Sequence, residues 1–162
     1  MKKKYLYFVL FIGFLIFLDQ LTKQIVDRQM TIGQRIPIID GVFAIHSHRN
    51  LGAAFGMFQG QRTFFILITI IAMGIFIYLA KNINFKNKKF YTISISFLIA
   101  GTLGNFIDRM LNANYGVIDF LSFELINFPI FNIADILLTV GVAMLILHVF
   151  FLEGKQNANK QA

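Results

Sequence analysis

Long apolar runs alternate with short polar segments along the chain. The first run has 14 residues and reaches spanning length only if the next four continue it, the second and third have 18 each, and the fourth has 17, all without a charge. A spanning helix needs about 20 mostly apolar residues, and in lipid every backbone polar group must be hydrogen-bonded internally. The pattern therefore predicts four transmembrane helices, at about residues 5–22, 63–80, 90–109 and 130–152.

The beginning of the chain also resembles the first two regions of a cleaved signal peptide, because Lys2, Lys3 and Lys4 precede the first apolar run. That run ends in the polar segment 19–23, which offers no small-residue cleavage site. Since three more apolar runs follow, we expect the first to be retained as a helix.

Composition supports a membrane protein and excludes several chemistries. The chain is 57% hydrophobic and 14% charged, whereas soluble domains are about 45–50% apolar and about 25% charged. Its mean hydropathy is +0.67. Because the chain has no cysteine, disulfides, thiolate nucleophiles and cysteine-ligated metals are excluded. No repeat or low-complexity linker divides the 162 residues, so we expect one integral membrane domain, 1–162.

The charges are divided unequally between the two sides of the predicted bundle. Four spans place both termini and the second loop on one side, which carries a net charge of +8, against −1 on the other and +7 overall. Basic loops stay in the cytoplasm, and every Arg and Asp then lies at or beyond the outer face. The rule predicts cytoplasmic segments at 1–4, 81–89 and 153–162, and extracytoplasmic segments at 24–62 and 110–129.

The long outer segment carries the pattern of a β-hairpin. Two runs of β-type residues, 35–39 and 42–45, are joined by Asp40 and Gly41, a strong hairpin signal. Pro37 confines its strand to a sheet edge. The predicted fold is therefore an all-α membrane protein, a four-transmembrane-helix bundle with a small extracytoplasmic β-sheet. Residues 50–58, rich in small and aromatic side chains, either face a substrate or simply return the chain to the second helix.

His46 and His48, alternate residues of the predicted strand, would share one face. Two histidines without a third ligand or a His-Glu-x-x-His motif are a weak metal signal. We favour a solvated strand edge and expect no metal.

Two pairs of polar residues lie near the outer ends of predicted helices. Asp19 and Lys23 are four residues apart, in the favourable order for an ion pair. Asn105 and Arg109 share a face of the third helix. Arg109 could simply complement the negative end of the helix dipole, but an amide such as Asn105 inside lipid needs a partner.

Asp119 and Asp135 are the strongest catalytic candidates. If Pro129 opens the fourth helix, Asp135 lies about 9 Å below that start, and Asp119 belongs to the same membrane face. Two carboxylates that converge in a low dielectric cannot both ionise, so one would stay protonated while the other acts as a base. Such a pair can activate water and protonate a leaving amine, which is peptide hydrolysis. The alternative is separate ion pairs with Arg109 and Lys23.

Five ordered sequence blocks accompany these candidates, and with them the whole chain resembles the bacterial lipoprotein signal peptidase (signal peptidase II) family. Any one block is weak evidence, whereas five in order with four spans are highly specific. Phe55 stands where many members have Trp, and Ile136 where a small residue is common, which affects the expected pocket shape rather than the chemistry. The blocks are Asp19-Gln20-Leu21-Thr22-Lys23, Asn50-Leu51-Gly52-Ala53-Ala54-Phe55, Gly104-Asn105-Phe106-Ile107-Asp108-Arg109, Val117-Ile118-Asp119-Phe120 and Phe131-Asn132-Ile133-Ala134-Asp135.

The resemblance implies a membrane aspartyl endopeptidase that removes signal peptides from prolipoproteins just before a diacylglyceryl-modified cysteine. It implies that Asp119 and Asp135 are the catalytic pair. It also implies a set of residues that line or support the site: Asn50, Gly52, Ala53, Asn105, Arg109, Asn132, Ala134, Asp19, Lys23 and Asp108.

The expected partners are diacylglyceryl-modified prolipoproteins and membrane lipids, with no nucleic acid, no cofactor and a monomeric state. The expected location is the bacterial cytoplasmic membrane, with the active site near its outer face. A small proton-coupled transporter that uses the two aspartates as a relay is the main alternative. The absence of repeated halves argues against it. A membrane-anchored binding protein would leave the buried acid unexplained.

Overall fold

A computed structural model describes residues 2–112, 116–126 and 128–153. Within them lie four helices that are long and apolar enough to cross a membrane, with mean hydropathies between 1.5 and 2.5 in their most apolar stretches. The predicted four spans are therefore confirmed. Part of the predicted outer segment 110–129, and nearly all of the predicted cytoplasmic segment 153–162, fall outside the described residues. The helices are α1 (Lys2–Gln29), α2 (Arg62–Leu79), α3 (Lys89–Leu111) and α4 (Ile133–Leu147).

Helix α1 is longer than the sequence pattern predicted, since it continues seven residues beyond position 22 to Gln29. The prediction ended the helix where charges begin. Lys23, however, is buried and paired with Asp19 one turn earlier, and Val26 is buried a turn later. Because this charge is neutralised inside the protein, the apolar face of α1 continues past it.

Helix α3 is the centre of the bundle. Twelve of its residues are buried, whereas α2 has no buried residue and presents apolar side chains outward, as expected of a helix that faces lipid. At the end of the bundle away from the sheet, α3 packs closely on α4. Ser94 donates to the carbonyl of Gly141 at 2.8 Å, and a methyl group at Gly141 would lie 3.0 Å from Leu98. Small residues therefore set the α3–α4 spacing.

The structure also contains a three-stranded antiparallel sheet. Its first two strands lie between α1 and α2 in the sequence, and its third lies between α3 and α4. The predicted hairpin is confirmed, because β1 (Arg35–Ile39) pairs with β2 (Phe43–Asn50) across the turn at Asp40 and Gly41. The third strand, β3 (Val117–Phe123), pairs with β2. It was not predicted, because its first four residues are all buried, so the alternation that marks a half-exposed strand is missing.

Two contacts fix β3 beside the ends of β2 and α3. Gly116 has a φ of 73°, and any side chain there would overlap the carbonyl oxygen of Asn50, the last residue of β2. The backbone N–H of Ile118 donates to Asp108 Oδ2 of α3 at 3.2 Å. Asp119, the next residue, is thereby placed at the end of the bundle where β3 meets α3.

Candidate active site

Asp135 lies in the first turn of α4. The helix begins at Ile133, and Asn132 is its N-cap. The Asn132 side chain accepts from the Asp135 backbone N–H at 3.0 Å, while the Asn132 N–H donates to Asp135 Oδ2 at 3.1 Å. The expectation that Pro129 opens the helix, with Asp135 about 9 Å below its start, was wrong. Pro129 lies in the preceding loop, and the capping box places Asp135 at the helix entrance.

Asp119 reaches the same position from the sheet. It is 2% exposed, and both of its carboxylate oxygens accept hydrogen bonds from amides. Asn50 donates to Oδ2 at 2.9 Å, and Asn132 donates to Oδ1 at 2.6 Å. Because Asn132 bonds Asp119 through its side chain and Asp135 through its backbone, the structure brings the two predicted catalytic aspartates together around one residue.

Asn105 of α3 completes the amide network around the two acids. Its amide nitrogen donates to Asp135 Oδ1 at 2.8 Å, and its carbonyl oxygen accepts from Asn132 at 3.0 Å. The same oxygen accepts from Lys23 at 3.1 Å. Because Lys23 and Asn132 both donate to the side-chain oxygen of Asn105, they fix the orientation of its amide, and the N–H group points at Asp135. The partner that this amide requires at membrane depth is therefore the candidate acid itself.

Lys23 joins two carboxylates that are distinct from the candidate pair. Its ammonium lies 2.9 Å from Asp19 and 3.0 Å from Asp108, and all three side chains are at most 2% exposed. Within the described residues, no ion pair joins Lys23 or Arg109 to Asp119 or Asp135. The alternative of separate ion pairs for the two acids is therefore wrong.

The buried charges connect α1 to the helices that carry the site. Asp19 accepts the backbone N–H of Ala134 at 2.8 Å. Gln20, which was not among the predicted site residues, donates to Asp108 at 3.0 Å and to Asp19 at 3.2 Å. Its place next to Asp19 in the first sequence block was the available signal. This cluster holds the entrance of α4 against α1 and α3.

The environment of Asp119 favours its neutral form. Burial, followed by the nearby charge of Asp135, raises the pKa of Asp119 to about 7, although the amides of Asn50 and Asn132 favour the carboxylate. With a pKa near neutrality, Asp119 can hold or release a proton around pH 7, which is what a pair of acids with divided roles requires of one member.

Arg109 lies beside the acids without pairing with them. Its guanidinium stacks over the Phe65 ring at 4.7 Å from the ring centroid. Its N–H groups are 3.4 Å from the carbonyl oxygens of Asn105 and Gly52. The carbonyl groups at the end of α3 are instead bonded by Arg62, which donates to the Arg109 carbonyl at 2.6 Å. The sequence did not predict this role of Arg62.

A cavity of about 470 Å³ opens in front of the two acids. Asp119, Asp135, Arg109 and Asn105 line it, and its deeper wall is formed by side chains of α2, α3 and α4. Asn50, the last residue of β2, lines it together with Gly52, Ala53 and Phe55 from the segment that follows. Of the two interpretations of residues 50–58, this favours contact with a substrate. A second cavity, of about 480 Å³, adjoins it and is lined by His48, Arg49 and Gln59.

The two histidines do not form a metal site in the described part of the chain. Residues 2–112, 116–126 and 128–153 contain no group of three His, Asp or Glu side chains that could hold an ion. Burial, followed by the neighbouring charges of His46 and Arg49, lowers the pKa of His48.

Four spanning helices with a pair of carboxylates bound by shared amides at one end define a membrane protein with an aspartic-peptidase type of site. A sequence model of the family described as Signal peptidase (SPase) II matches residues 11–151. The chain therefore belongs to the signal peptidase II family and is an aspartic peptidase of the membrane. The transporter alternative is not supported.

The alignments with related proteins cover most of the chain. A lipoprotein signal peptidase of Brevibacillus brevis is 45% identical over 153 residues, covering 94% of this chain and 99% of that protein. One of Shouchella clausii is 47% identical over 135 residues, covering 83% and 87%. Two solved structures, described as bacterial membrane enzyme structures obtained by the in meso method, are 40% identical, with TM-scores of 0.82 and 0.79. They cover 95% and 90% of this chain, which corresponds to 91% and 94% of their own.

Proposed function

We propose that the protein cleaves the signal peptide from diacylglyceryl-modified prolipoproteins just before the lipidated cysteine, and that Asp119 and Asp135 are its catalytic pair. The observation that carries the proposal is the double role of Asn132, which bonds both acids at the wall of one cavity. Membership of the signal peptidase II family supports the substrate class.

In the proposed mechanism, Asp135 acts as the base and Asp119 carries the shared proton. Asp135 takes a proton from water, and the oxygen of that water attacks the scissile carbonyl carbon. Asp119 protonates the carbonyl oxygen, which gives a tetrahedral diol. Asp135 then passes its proton to the leaving amine while Asp119 recovers one from the diol, so the C–N bond breaks and the original protonation states return.

The neighbouring groups have positioning roles in this proposal. Asn50, Asn105 and Asn132 hold the two carboxylates in one geometry. Arg109 binds backbone or headgroup oxygens of the substrate, since it lines the cavity and its guanidinium offers several N–H donors in a planar fork. The buried cluster of Asp19, Lys23 and Asp108 braces the entrance of α4, where Ala134 contacts it. No metal or cofactor takes part, because the two acids supply both proton donor and acceptor.

The proposed orientation follows from the charges. The loop between α2 and α3, together with the first residue of α3, contains four lysines within 81–89, so we place it and both termini in the cytoplasm. The sheet and the acids then lie at the outer face of the cytoplasmic membrane. A substrate anchored by its lipid would reach that depth by diffusing in the bilayer, without extraction of its acyl chains into water.

The substrate class is tested with two versions of one prolipoprotein, with and without the diacylglyceryl group on its cysteine. The purified full-length protein in detergent should shorten the lipidated version and leave the unlipidated one largely intact, and mass spectrometry should place the new N-terminus at the cysteine. Equal cleavage of both versions, or a product cut elsewhere, would refute the proposed substrate.

A further inference from the structure

Three threonines line the cavity below the two acids, one from each of three helices. Thr69 belongs to α2, Thr102 to α3 and Thr139 to α4. Counted from the outer end of each helix at 1.5 Å per residue, they lie about 9–14 Å inside the bundle. We call these residues the threonine cluster. It forms one level of hydroxyl groups at a depth where the remaining wall is apolar, including Ile68, Ala72 and Leu138.

The hydroxyl groups of the threonine cluster have no hydrogen-bond partner within the described part of the chain. Other hydroxyls of the bundle behave differently. Thr92 donates to the carbonyl of Lys88, four residues earlier in the chain, at 2.8 Å, and Ser96 donates to that of Thr92 at 2.8 Å. Thr139 is exposed, and the other two members of the cluster are half-buried. Because a hydroxyl without a partner is unfavourable at membrane depth, three of them around one cavity indicate a ligand that offers hydrogen-bond acceptors.

The depth of the cluster fits one part of the proposed substrate. Thr139 is one helical turn, or about 6 Å, deeper than Asp135. In a diacylglyceryl cysteine, a short chain of single bonds through the thioether and glycerol separates the scissile nitrogen from the ester carbonyls. If the acyl chains point towards the centre of the bilayer, the thioether–glycerol linkage places the ester carbonyls about one helical turn below Asp119 and Asp135.

We propose that the threonine cluster binds the ester carbonyls of the diacylglyceryl group and so recognises lipidated cysteine. An ester offers acceptors and no donor, which matches hydroxyls that lack acceptors of their own. A signal peptide that enters as a helix satisfies its own backbone, and its side chains at this depth are apolar. This inference rests on the proposed function, because it assumes a diacylglyceryl substrate.

The test compares two synthetic lipopeptides that differ only in the glycerol linkages, which are esters in one and ethers, without carbonyl groups, in the other. The wild-type protein should have a lower KM for the ester substrate. Three variants test the cluster: Thr102→Val, Thr139→Val, and a triple variant that adds Thr69→Val to these two. Each should raise KM for the ester substrate, by about 3- to 10-fold for every neutral hydrogen bond that is lost. KM for the ether substrate and kcat for both should change little.

Two control variants separate hydroxyl chemistry from packing. Thr139→Ser keeps the hydroxyl and should retain the preference for the ester substrate. Thr63→Val removes the hydroxyl of a residue in the first turn of α2 that lies outside the cavity lining, and it should behave as wild type. An equal rise of KM for both substrates would show that the cluster serves the peptide or the packing, and an unchanged KM would show that it binds no ester. Either result would overturn the inference.

A binding measurement distinguishes failure of this inference from failure of the proposed function. The ester lipopeptide should raise the thermal midpoint of the wild-type protein more than the ether lipopeptide does, and this difference should disappear in the triple variant. If the wild-type protein cleaves neither peptide, the proposed function fails, while the thermal difference still decides the threonine cluster. Equal stabilisation by both peptides would contradict the inference.

Discussion

Asn132 makes more hydrogen bonds to Asp119 and Asp135, the proposed catalytic pair, than any other described residue does. Its backbone N–H binds Asp135, its amide binds Asp119, and its carbonyl oxygen caps α4. The family resemblance implied only that Asn132 lines or supports the site. The structure adds that it orients both Asp135 and Asp119, so the loss of its side chain should disturb both acids.

Replacement of Asn132 should reduce turnover without complete loss. Asn132→Ala removes the amide and the helix cap, whereas Asn132→Ser retains a capping oxygen but not the N–H donor to Asp119. We expect Asn132→Ser to keep the wild-type thermal midpoint and to lose about 10²-fold in kcat, since small misplacements have effects of that size. Initial rates and thermal scans at matched protein levels measure both. Asn87→Ala, at an exposed amide of the loop between α2 and α3, is the control, and wild-type kcat in Asn132→Ser would contradict the assigned role.

The raised pKa of Asp119 predicts a pH limit for activity. Because the mechanism uses the protonated form of Asp119, and the pKa of about 7 belongs to the protein without substrate, kcat/KM should fall as the pH rises through about 7. Asn50 donates a hydrogen bond that favours the carboxylate, so Asn50→Ala should raise the pKa further and move this alkaline limb to higher pH. A pH profile of kcat/KM for both proteins measures the shift.

An acid outside the site supplies the control for this profile. Asp27 is exposed and pairs with Arg49 on the surface, and Asp27→Asn should leave the limb unchanged. A limb that moves to lower pH in Asn50→Ala would contradict the assignment of the proton to Asp119.

At the scale of the elements, a close crossing of α1, α3 and α4 supports the site. A methyl group at Gly104 of α3 would lie 2.5 Å from Asp19 Oδ2 and 3.1 Å from the Ala134 side chain. Asp19 holds the start of α4 through the Ala134 N–H. The absence of a side chain at Gly104 is therefore what allows the buried charges and the helix entrance to meet.

Gly104→Ala should destabilise the protein and reduce activity, because the added methyl displaces Asp19. Overpacking of this kind costs about 1–3 kcal/mol, which should appear as a lower thermal midpoint. Gly74→Ala is the matched control, since a methyl group at that helical glycine meets no atom within 4 Å. It should be neutral or stabilising by about 0.5–1 kcal/mol. Equal midpoints for the two variants would show that the crossing is not tight.

The elements that the sequence predicted well are those whose patterns are local. Four apolar runs and the Asp40-Gly41 turn define the helices and the hairpin without reference to the rest of the chain. The end of α1 and the strand β3 depend on distant parts of the chain, namely Asp108, which pairs with Lys23, and the burial of β3 on both faces. The start of α4 is set by a local signal, the cap at Asn132, in place of the expected Pro129. The site also depends on distant residues, since Gln20 and Arg62 act on groups more than 40 positions away.

At the scale of the whole molecule, the distribution of charge predicts how the bundle lies in the membrane. The turn after β1 contains Asp40, and the loop between α2 and α3 contains Lys86; both residues are exposed. The natural chain has no cysteine. Single cysteines introduced at these two positions therefore report on the two sides of the membrane without further changes.

In intact bacterial cells, a maleimide that cannot cross the membrane should label Asp40→Cys and not Lys86→Cys. After the membrane is permeabilised, both should be labelled, which controls for the accessibility of the thiol. Labelling of Lys86→Cys in intact cells, with Asp40→Cys protected, would invert the proposed orientation and place the acids at the cytoplasmic face.

Cleavage of a diacylglyceryl-modified prolipoprotein by Asp119→Asn and Asp135→Asn tests the catalytic pair most directly. Each amide keeps the size of the side chain but cannot take part in proton transfer as a carboxyl group does. Both variants should insert into membranes and show cooperative thermal unfolding like the wild-type protein, yet yield no shortened product over the time in which the wild type finishes. Substantial cleavage by either folded variant would show that these aspartates are not the catalytic pair.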